Sequence, residues 1–234
     1  MLAITDNRIT PSSLVSLGEE GFDTILLPPA DYFSPAVASH TDMLIFIGFG
    51  RLFCHRKYYD SNRDTIDRII RERSLELSLS DEPTGEKYPH DVLFNAALVG
   101  NRLICNEKTV SSLILDTAKT MGCEIISVSQ GYTKCSVTIV SDGAIITSDK
   151  GIASAVDEKL DVLLICEGHI SLPPYNFGFI GGTSGVYSDK VYFCGSLDTH
   201  PDGDKIEEFC KKHKKSATSL GDGILQDVGS IFFI

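Results

Sequence analysis

Residues 130–149 decide the fold, and they read Gln130-Gly-Tyr-Thr-Lys-Cys-Ser-Val-Thr-Ile-Val-Ser-Asp-Gly-Ala-Ile-Ile-Thr-Ser-Asp149. Residues 136–140 are rich in β-forming side chains, and the turn at 141–143 ends in a glycine that is free to adopt a positive φ. Residues 144–147 predict the returning strand. A helix is predicted over residues 152–159, and the apolar run 162–165 predicts a third strand. The stretch therefore predicts a unit made of a β-hairpin, a helix and a strand.

The same unit recurs along the chain. Its second strand begins at Arg51, Arg102, Ala144 and Lys190, which lie at intervals of roughly 40 to 50 residues. A turn precedes each of these strands, and a helical pattern and another strand follow it. A period of this length is typical of propellers and related repeat arrays.

The two ends of the chain predict a fifth unit between them. Residues 228–234 are apolar and have no following strand, whereas residues 2–4, 12–20 and 22–27 predict a strand, a helix and a strand with no preceding partner. Pairing of the terminal strands would close the array and remove its exposed edges. The sequence therefore predicts one α/β domain over residues 1–234, a five-bladed α/β-propeller with pseudo five-fold symmetry. An ordinary α/β sandwich with accidental spacing is the alternative.

Composition narrows the class of function. The 234 residues carry a formal net charge of −11, which argues against binding to nucleic acids or anionic membranes as the main role. No apolar run approaches the ~20 residues of a membrane helix, and the N-terminus lacks the features of a signal peptide. The seven cysteines show no C-x-x-C pair, so we expect reduced thiols in a cytoplasmic protein without metal or cofactor.

A circular array of five such units resembles the pentein fold of the guanidino-group modifying enzymes, which include arginine deiminase, dimethylarginine dimethylaminohydrolase, agmatine deiminase and the amidinotransferases. The resemblance covers nearly the whole chain as architecture. It is carried by the run Phe177-Gly-Phe-Ile-Gly-Gly182 and by the residues at the starts of the units: His40-Thr-Asp42, His90-Asp91, Lys134-Cys135, Tyr175-Asn176 and Gln226-Asp227. It indicates a relative of these enzymes.

The resemblance implies a cysteine nucleophile, a histidine acid/base and carboxylates that grip a guanidinium, all in the central channel. In those enzymes the cysteine is expected in the last unit. Here the last unit reads Gln226-Asp-Val-Gly229, and the cysteine at a unit start is Cys135. The same fold also occurs in a translation initiation factor without such a site. A non-catalytic binding or assembly protein is therefore the alternative to an enzyme.

In a ring, the starts of the units converge on the axis, so residues far apart in sequence become neighbours. A thiol reacts as the thiolate, and a nearby cation, Lys134 or a protonated histidine, would lower its pKa. Carboxylates would hold a cationic small molecule through charge-assisted hydrogen bonds. The predicted catalytic residues are Cys135 and either His40 or His90; the predicted substrate-binding residues are Asp42, Asp91, Lys134, Glu167, Asn176 and Asp227. Which histidine pairs with the thiol, the substrate and the oligomeric state stay open.

Two further motifs have simpler interpretations. Cys166-Glu-Gly-His169 follows a predicted strand, and adjacent residues on extended chain point in opposite directions, so a loop is favoured over a metal site. Glu167 is predicted to face the channel. The glycine-rich run 177–185 lacks the lysine of a P-loop, and close backbone packing near the axis explains it better than phosphate binding.

Overall fold

The computed structural model describes Met1–Ile234, and its strands form five separate three-stranded sheets. No helix is long and apolar enough to cross a membrane. The strands are β1 (Leu2–Asp6), β2 (Asp23–Leu27), β3 (Ile45–Gly48), β4 (Arg51–His55), β5 (Glu76–Ser80), β6 (Ala97–Val99), β7 (Arg102–Cys105), β8 (Glu124–Ser127), β9 (Thr138–Ser141), β10 (Ala144–Thr147), β11 (Asp161–Leu164), β12 (Ser184–Tyr187), β13 (Lys190–Cys194), β14 (Ser216–Leu220) and β15 (Phe232–Phe233).

Each sheet is one blade with the same topology. In each blade we call the first strand of the unit the inner strand, the second the middle strand and the third the outer strand. The middle strand pairs antiparallel with the inner strand and parallel with the outer strand, and a helix makes the parallel crossover in every blade. Blades 1 to 4 are β3–β5, β6–β8, β9–β11 and β12–β14. Blade 5 is β15, β1 and β2, so it joins the two ends of the chain. This confirms the predicted five-bladed α/β-propeller closed by its terminal strands.

The helices either make the crossovers or form short turns before the inner strands. Their bounds are α1 (Pro11–Glu19), α2 (Thr41–Leu44), α3 (Arg56–Ser61), α4 (Arg63–Arg73), α5 (Ser112–Thr120), α6 (Thr133–Ser136), α7 (Lys150–Val156) and α8 (Gly203–Lys212). In α8, Ile206, Phe209 and Cys210 are buried and share one face, as their helical spacing predicts.

The core consists of five hydrophobic clusters, and each joins two neighbouring blades. Successive residues of a strand point to opposite faces, so one strand serves two clusters. In β4, Leu52 and Cys54 pack toward blade 5, whereas Phe53 packs toward blade 2. In β1, Ile4 packs toward blade 1 and Ala3 toward blade 4. This alternation holds around the whole circle, and it closes the ring.

The segments before the inner strands differ from the prediction. The apolar run 43–47 predicts one strand, but α2 includes Met43 and β3 begins at Ile45. Likewise, Ser136 lies in α6 and not in the predicted strand 136–140. A short apolar run does not distinguish a helical turn from a strand. The apolar runs 92–99 and 228–234 each predict a strand, and the strands are confined to β6 and β15. The segment between Gly182 and Lys190 predicts a turn, but it contains β12, the inner strand of blade 4.

Candidate active site

A cavity of about 280 Å³ opens at one end of the ring axis, where the starts of the units converge. Its floor is formed by three buried polar groups, His40, Cys135 and Asp227. Exposed aromatic side chains, among them Tyr88 and Tyr175, stand at its mouth. The lining residues are Ser34, Val37, His40, Met43, Glu86, Tyr88, Asp91, Tyr132, Cys135, Leu172, Tyr175, Phe177, Phe179 and Asp227.

The helical turn α6 positions Cys135, and Asn95 fixes that turn. The Asn95 side-chain oxygen accepts hydrogen bonds from the backbone N–H groups of Lys134 and Cys135 at 2.7 and 3.2 Å. Its amide nitrogen donates to Cys135 Sγ at 3.1 Å. Because Asn95 lies two residues before β6, blade 2 orients the thiol that blade 3 supplies.

The thiol is hydrogen-bonded to a carboxyl group rather than to a histidine. Cys135 Sγ lies 3.1 Å from both carboxyl oxygens of Asp42, to which it donates. Ser230 Oγ donates to Asp42 Oδ2 at 2.8 Å and accepts from Lys134 Nζ, also at 2.8 Å. One buried hydroxyl group therefore bridges Asp42 and Lys134, and burial raises the pKa of Asp42 and lowers the pKa of Lys134.

The expected depression of the Cys135 thiol pKa is wrong. Burial raises the pKa of Cys135 well above its ordinary value, and the neighbouring Asp42 carboxyl raises it further. From the sequence we expected Lys134 to lower the thiol pKa, but Lys134 Nζ donates its hydrogen bond to Ser230 Oγ and none to the thiol. The thiol is consequently protonated at neutral pH.

His40 lies beside the thiol and between two carboxyl groups. One ring nitrogen of His40, Asp42 and Cys135 Sγ offer donor atoms within 4.8 Å of one another. His40 Nε2 is 3.6 Å from Asp6 Oδ2 and 3.9 Å from Asp227 Oδ1, and neither ring nitrogen is hydrogen-bonded. Burial lowers the pKa of His40, so the imidazole is neutral at pH 7.

Asp227 is held in place by backbone groups and by glycines. Its carboxyl oxygens accept hydrogen bonds from the N–H groups of Phe179 and Gly229, at 2.8 and 3.0 Å. A Cβ atom at Gly182 would lie 1.9 Å from Asp227 Oδ1, and one at Gly178 would lie 2.5 Å from Asp227 Cβ. The prediction that the glycine-rich run serves close packing near the axis is confirmed.

One wall of the cavity combines a carboxylate with aromatic rings. Tyr132 donates a hydrogen bond from its hydroxyl group to Asp91 Oδ2 at 2.6 Å, and its ring stacks on Phe179 with centroids 6.1 Å apart. The ring of Tyr88 lies at the same distance on the mouth side. Burial raises the pKa of Asp91, although the hydrogen bond from Tyr132 opposes the shift.

The structure brings together some predicted site residues and separates others. His40, Asp91, Cys135 and Asp227 line the cavity, and Asp42 lies directly behind the thiol. Lys134 instead lines a pocket at the opposite end of the axis. The remaining three, all exposed and outside the cavity lining, are His90 and Asn176, which lie in loops, and Glu167, which follows β11.

Sequence reasoning missed Asn95, Ser230, Asp6 and Tyr132. Two of them carried a readable signal, because Asn95 is the single polar residue in the apolar run 92–99 and Ser230 is the single hydroxyl residue in 228–234. A buried polar side chain needs partners, so a lone one in such a run indicates a specific contact. Asp6 carried no comparable signal.

The fold is that of known enzymes that modify guanidino groups. The DDAH from Pseudomonas aeruginosa, in a Cys-to-Ser variant complexed with citrulline, superposes with a TM-score of 0.60 at 11% identity, covering 94% of this chain and 91% of that one. An agmatine deiminase from C. jejuni gives 0.56 at 8% identity, covering 94% and 87%. SxtG, an amidinotransferase from Microseira wollei, gives 0.54 at 10% identity, covering 94% and 88%. At such identities the likeness establishes the pentein fold alone.

The family assignment is more specific than the fold. Residues 4–232 match DUF6873, a family of unknown function, and the chain belongs to that family. No curated protein sequence matches it.

Proposed function

We propose that this protein is a hydrolase or transferase that acts on a cationic guanidine or amidine through Cys135. The observation that carries the proposal is the convergence of Cys135, His40 and Asp227 on one cavity from three different parts of the ring. The solved structures with the same fold support it, since they include one complexed with citrulline and enzymes named for agmatine and amidino groups.

The charges around the cavity favour a cationic ligand. Four carboxyl groups are buried in or behind the cavity, and two cationic side chains accompany them; the four are Asp6, Asp42, Asp91 and Asp227. Arg8 binds Asp6, and Lys134 approaches Asp42 through Ser230. Asp227 has only the neutral His40 as a side-chain partner, and burial raises the pKa of Asp227. A ligand cation would supply the missing countercharge.

The aromatic wall favours a planar cation. Tyr132 and Phe179 present parallel rings, and a guanidinium stacks readily on such faces. Asp91 on the same wall offers a carboxyl oxygen for charge-assisted hydrogen bonds. Together these groups would orient the central carbon of a guanidinium toward Cys135.

The reaction would proceed in two steps, attack by the thiol and then attack by water. The thiol proton moves to Asp42 as Cys135 Sγ bonds to the guanidinium carbon; the bond to one nitrogen then breaks, and the departing amine takes the proton. Water next attacks the carbon that is bonded to Sγ, and His40 takes one proton of the water and passes it to the sulfur. The C–S bond breaks, which restores the thiol and releases a urea from a guanidine or an amide from an amidine. A second amine in place of water would make the protein a transferase.

The protonated resting thiol implies that the ligand activates its own nucleophile. A cation bound at Asp227 would offset the negative potential that raises the thiol pKa. Two alkylating agents of the same shape test this: 2-chloroacetamidine, which is cationic, and 2-chloroacetamide, which is neutral. We expect the cationic reagent to modify Cys135 at least about 10-fold faster, which corresponds to one charge-assisted hydrogen bond. Mass spectrometry would follow each cysteine, with the exposed Cys166 as the reference thiol.

The matched control is Asp227→Asn, which keeps the shape of the side chain and removes its charge. In this variant we expect the preference for the amidine at Cys135 to disappear while Cys166 reacts unchanged. Equal rates for both reagents at Cys135 in the native protein would contradict the proposal.

The alternative is a binding protein without catalysis. It is favoured by the high thiol pKa and by the apolar pocket at the opposite end of the axis. The two functions separate in one assay. Calorimetric binding of methylguanidine or acetamidine without any release of amine, in both the native protein and Cys135→Ser, would favour the binding protein.

A further inference from the structure

A second cluster of metal-ligating side chains lies outside the cavity, between blades 3 and 4. Cys166 follows β11, whereas His200 and Asp202 lie between β13 and α8. A sulfur, a ring nitrogen and a carboxyl oxygen from these residues lie within 4.8 Å of one another. The expectation of a simple loop rested on Cys166 and its sequence neighbours, and the fold instead supplies partners from another blade.

His200 points to a ligand independently of that spacing. The residue is only 4% exposed, and its Nε2 atom is buried without a hydrogen-bond partner. The other ring nitrogen, Nδ1, accepts a hydrogen bond from the Asp202 backbone N–H at 3.1 Å. A buried nitrogen left unpaired is unfavourable, and coordination would satisfy it. If Nε2 binds a metal ion, the ring hydrogen must lie on Nδ1. The hydrogen bond that Nδ1 accepts from the Asp202 backbone N–H is then lost.

The other two groups are within reach of an ion. The Asp202 carboxyl oxygens accept hydrogen bonds from the Cys166 backbone N–H at 2.7 Å and from Lys205 Nζ. Lys205 occupies one carboxylate oxygen at 2.5 Å, but its side chain is largely exposed and free to move into solvent. Cys166 is exposed, so an ion has direct access to the sulfur.

We propose that Cys166, His200 and Asp202 form a binding site for a divalent transition-metal ion, with Zn²⁺ as the preferred ion. A thiolate, an imidazole and a carboxylate are the donors that zinc selects, and binding would release the thiol proton. His169, whose ring centroid is 5.8 Å from that of His200, is the candidate for a fourth ligand. The site is independent of the reaction proposed for the cavity.

Cobalt provides the direct test, because a thiolate bound to Co²⁺ produces a charge-transfer absorption band. We expect metal-free protein to bind one equivalent of Co²⁺ with this band and to exchange it for Zn²⁺. Cys166→Ser should abolish the band and weaken Zn²⁺ binding, measured by competition with a chromophoric chelator. The loss should exceed the roughly 10- to 100-fold caused by removing a group outside the ligand set.

The control uses the other cysteine, histidine and carboxyl cluster of the molecule. Cys135→Ser removes the thiol beside His40 and Asp42 and should leave the cobalt band intact. His200→Gln, whose folding is checked by circular dichroism, should weaken binding as Cys166→Ser does. The absence of a thiolate band would overturn the proposal, and so would a band that survives Cys166→Ser and disappears in Cys135→Ser.

Discussion

The two ends of the ring axis are lined by the same repeating architecture and differ in chemistry. At the cavity end, buried carboxyl groups, an imidazole and a thiol meet aromatic rings. At the other end, a pocket of about 170 Å³ is lined mainly by apolar side chains, and every inner strand contributes at least one: Ile47, Leu98, Ile139, Val186 and Phe232. Lys134 is the one charged residue among its lining.

The difference arises where the chain enters each inner strand. Cys135 and Lys134 are adjacent in α6, yet the thiol lines the cavity and the ammonium group lines the opposite pocket. A helical turn separates successive side chains by about 100°. Within the strands that follow, the side chains that line the axis are mainly apolar, and Ser184 is the polar exception. The short helical turns thus concentrate the chemistry at one end, and the Lys134–Ser230–Asp42 hydrogen bonds separate the two ends.

Breaking that separation should have the largest effect. Asp42→Asn removes the carboxyl group that favours the charged form of the buried Lys134, and loss of one partner of a buried pair typically costs about 3–5 kcal/mol. Urea unfolding at pH 7 would measure the free energy of unfolding. Lys134→Met should cost a similar amount, and the double variant should lose less than the two single variants together. Strict additivity would show that the two groups do not interact.

Asp42→Asn should also lower the thiol pKa, because it removes a negative charge next to Sγ. The pH dependence of Cys135 alkylation would show this. An unchanged alkylation profile would contradict the position of Asp42 beside the thiol.

A methyl group placed against Asp227 should have the next largest effect. In Gly182→Ala the new Cβ would lie 1.9 Å from Asp227 Oδ1, so the carboxylate or the backbone must move. Overpacking of this kind costs about 1–3 kcal/mol, and the displaced Asp227 should lose its influence on Cys135. The matched control is Gly143→Ala, because no atom lies within 4 Å of a Cβ there. Equal unfolding free energies for the two variants would contradict the close packing.

The buried histidine should give a smaller, pH-dependent effect. Burial lowers the pKa of His40 in the folded state, so the unfolded chain binds more protons below its ordinary value of about 6.5. Stability should therefore fall as the pH decreases below about 6.5, with a slope of at most about 1.4 kcal/mol per pH unit. His40→Gln should reduce this slope and leave the share of His200, whose pKa burial also lowers, whereas the exposed His90→Gln should retain the full slope. The measurement is urea unfolding between pH 5 and 8.

The apolar end should be the least sensitive. Val186→Thr keeps the shape of a half-buried side chain and exchanges one methyl group for a hydroxyl group, which should cost about 1 kcal/mol or less. Alkylation of Cys135 should not change, since the substitution lies at the far end of the axis. A marked change in the amidine preference of Val186→Thr would show that the two ends are coupled.

The repeat was readable from the sequence because the middle strands are buried on both faces. Such strands appear as continuous apolar runs, and all four predicted starts of these strands are where the structure has them. The convergence of His40, Asp91, Cys135 and Asp227 followed from the ring itself. The helical turns α2 and α6 were not readable, because a segment of four residues is too short to show a periodicity that separates a helix from a strand.

The directions of individual side chains were also beyond the sequence. Lys134 was placed with the thiol because the two are adjacent, and α6 turns them apart. The influence of Asp42 on the thiol pKa depends on contacts between residues 93 positions apart. Side-chain directions and pKa shifts can be derived only from the three-dimensional distances. The residues that converge on the axis can be identified from the repeat alone.

The site is intact only while blade 5, which joins the two ends of the chain, is closed. Asp6 lies at the end of β1, and Asp227 and Ser230 lie just before β15, so their neighbours in the site are joined by contacts of very large sequence separation. Contacts between residues far apart in sequence form slowly during folding, and a segment that such contacts hold can open as one cooperative unit. When blade 5 opens, we expect solvent to reach Cys135 and the buried charges to lose their partners. The slow modification of Cys135 in the absence of a cation would then measure how often blade 5 opens. A bound cation would hold blade 5 closed and slow this modification.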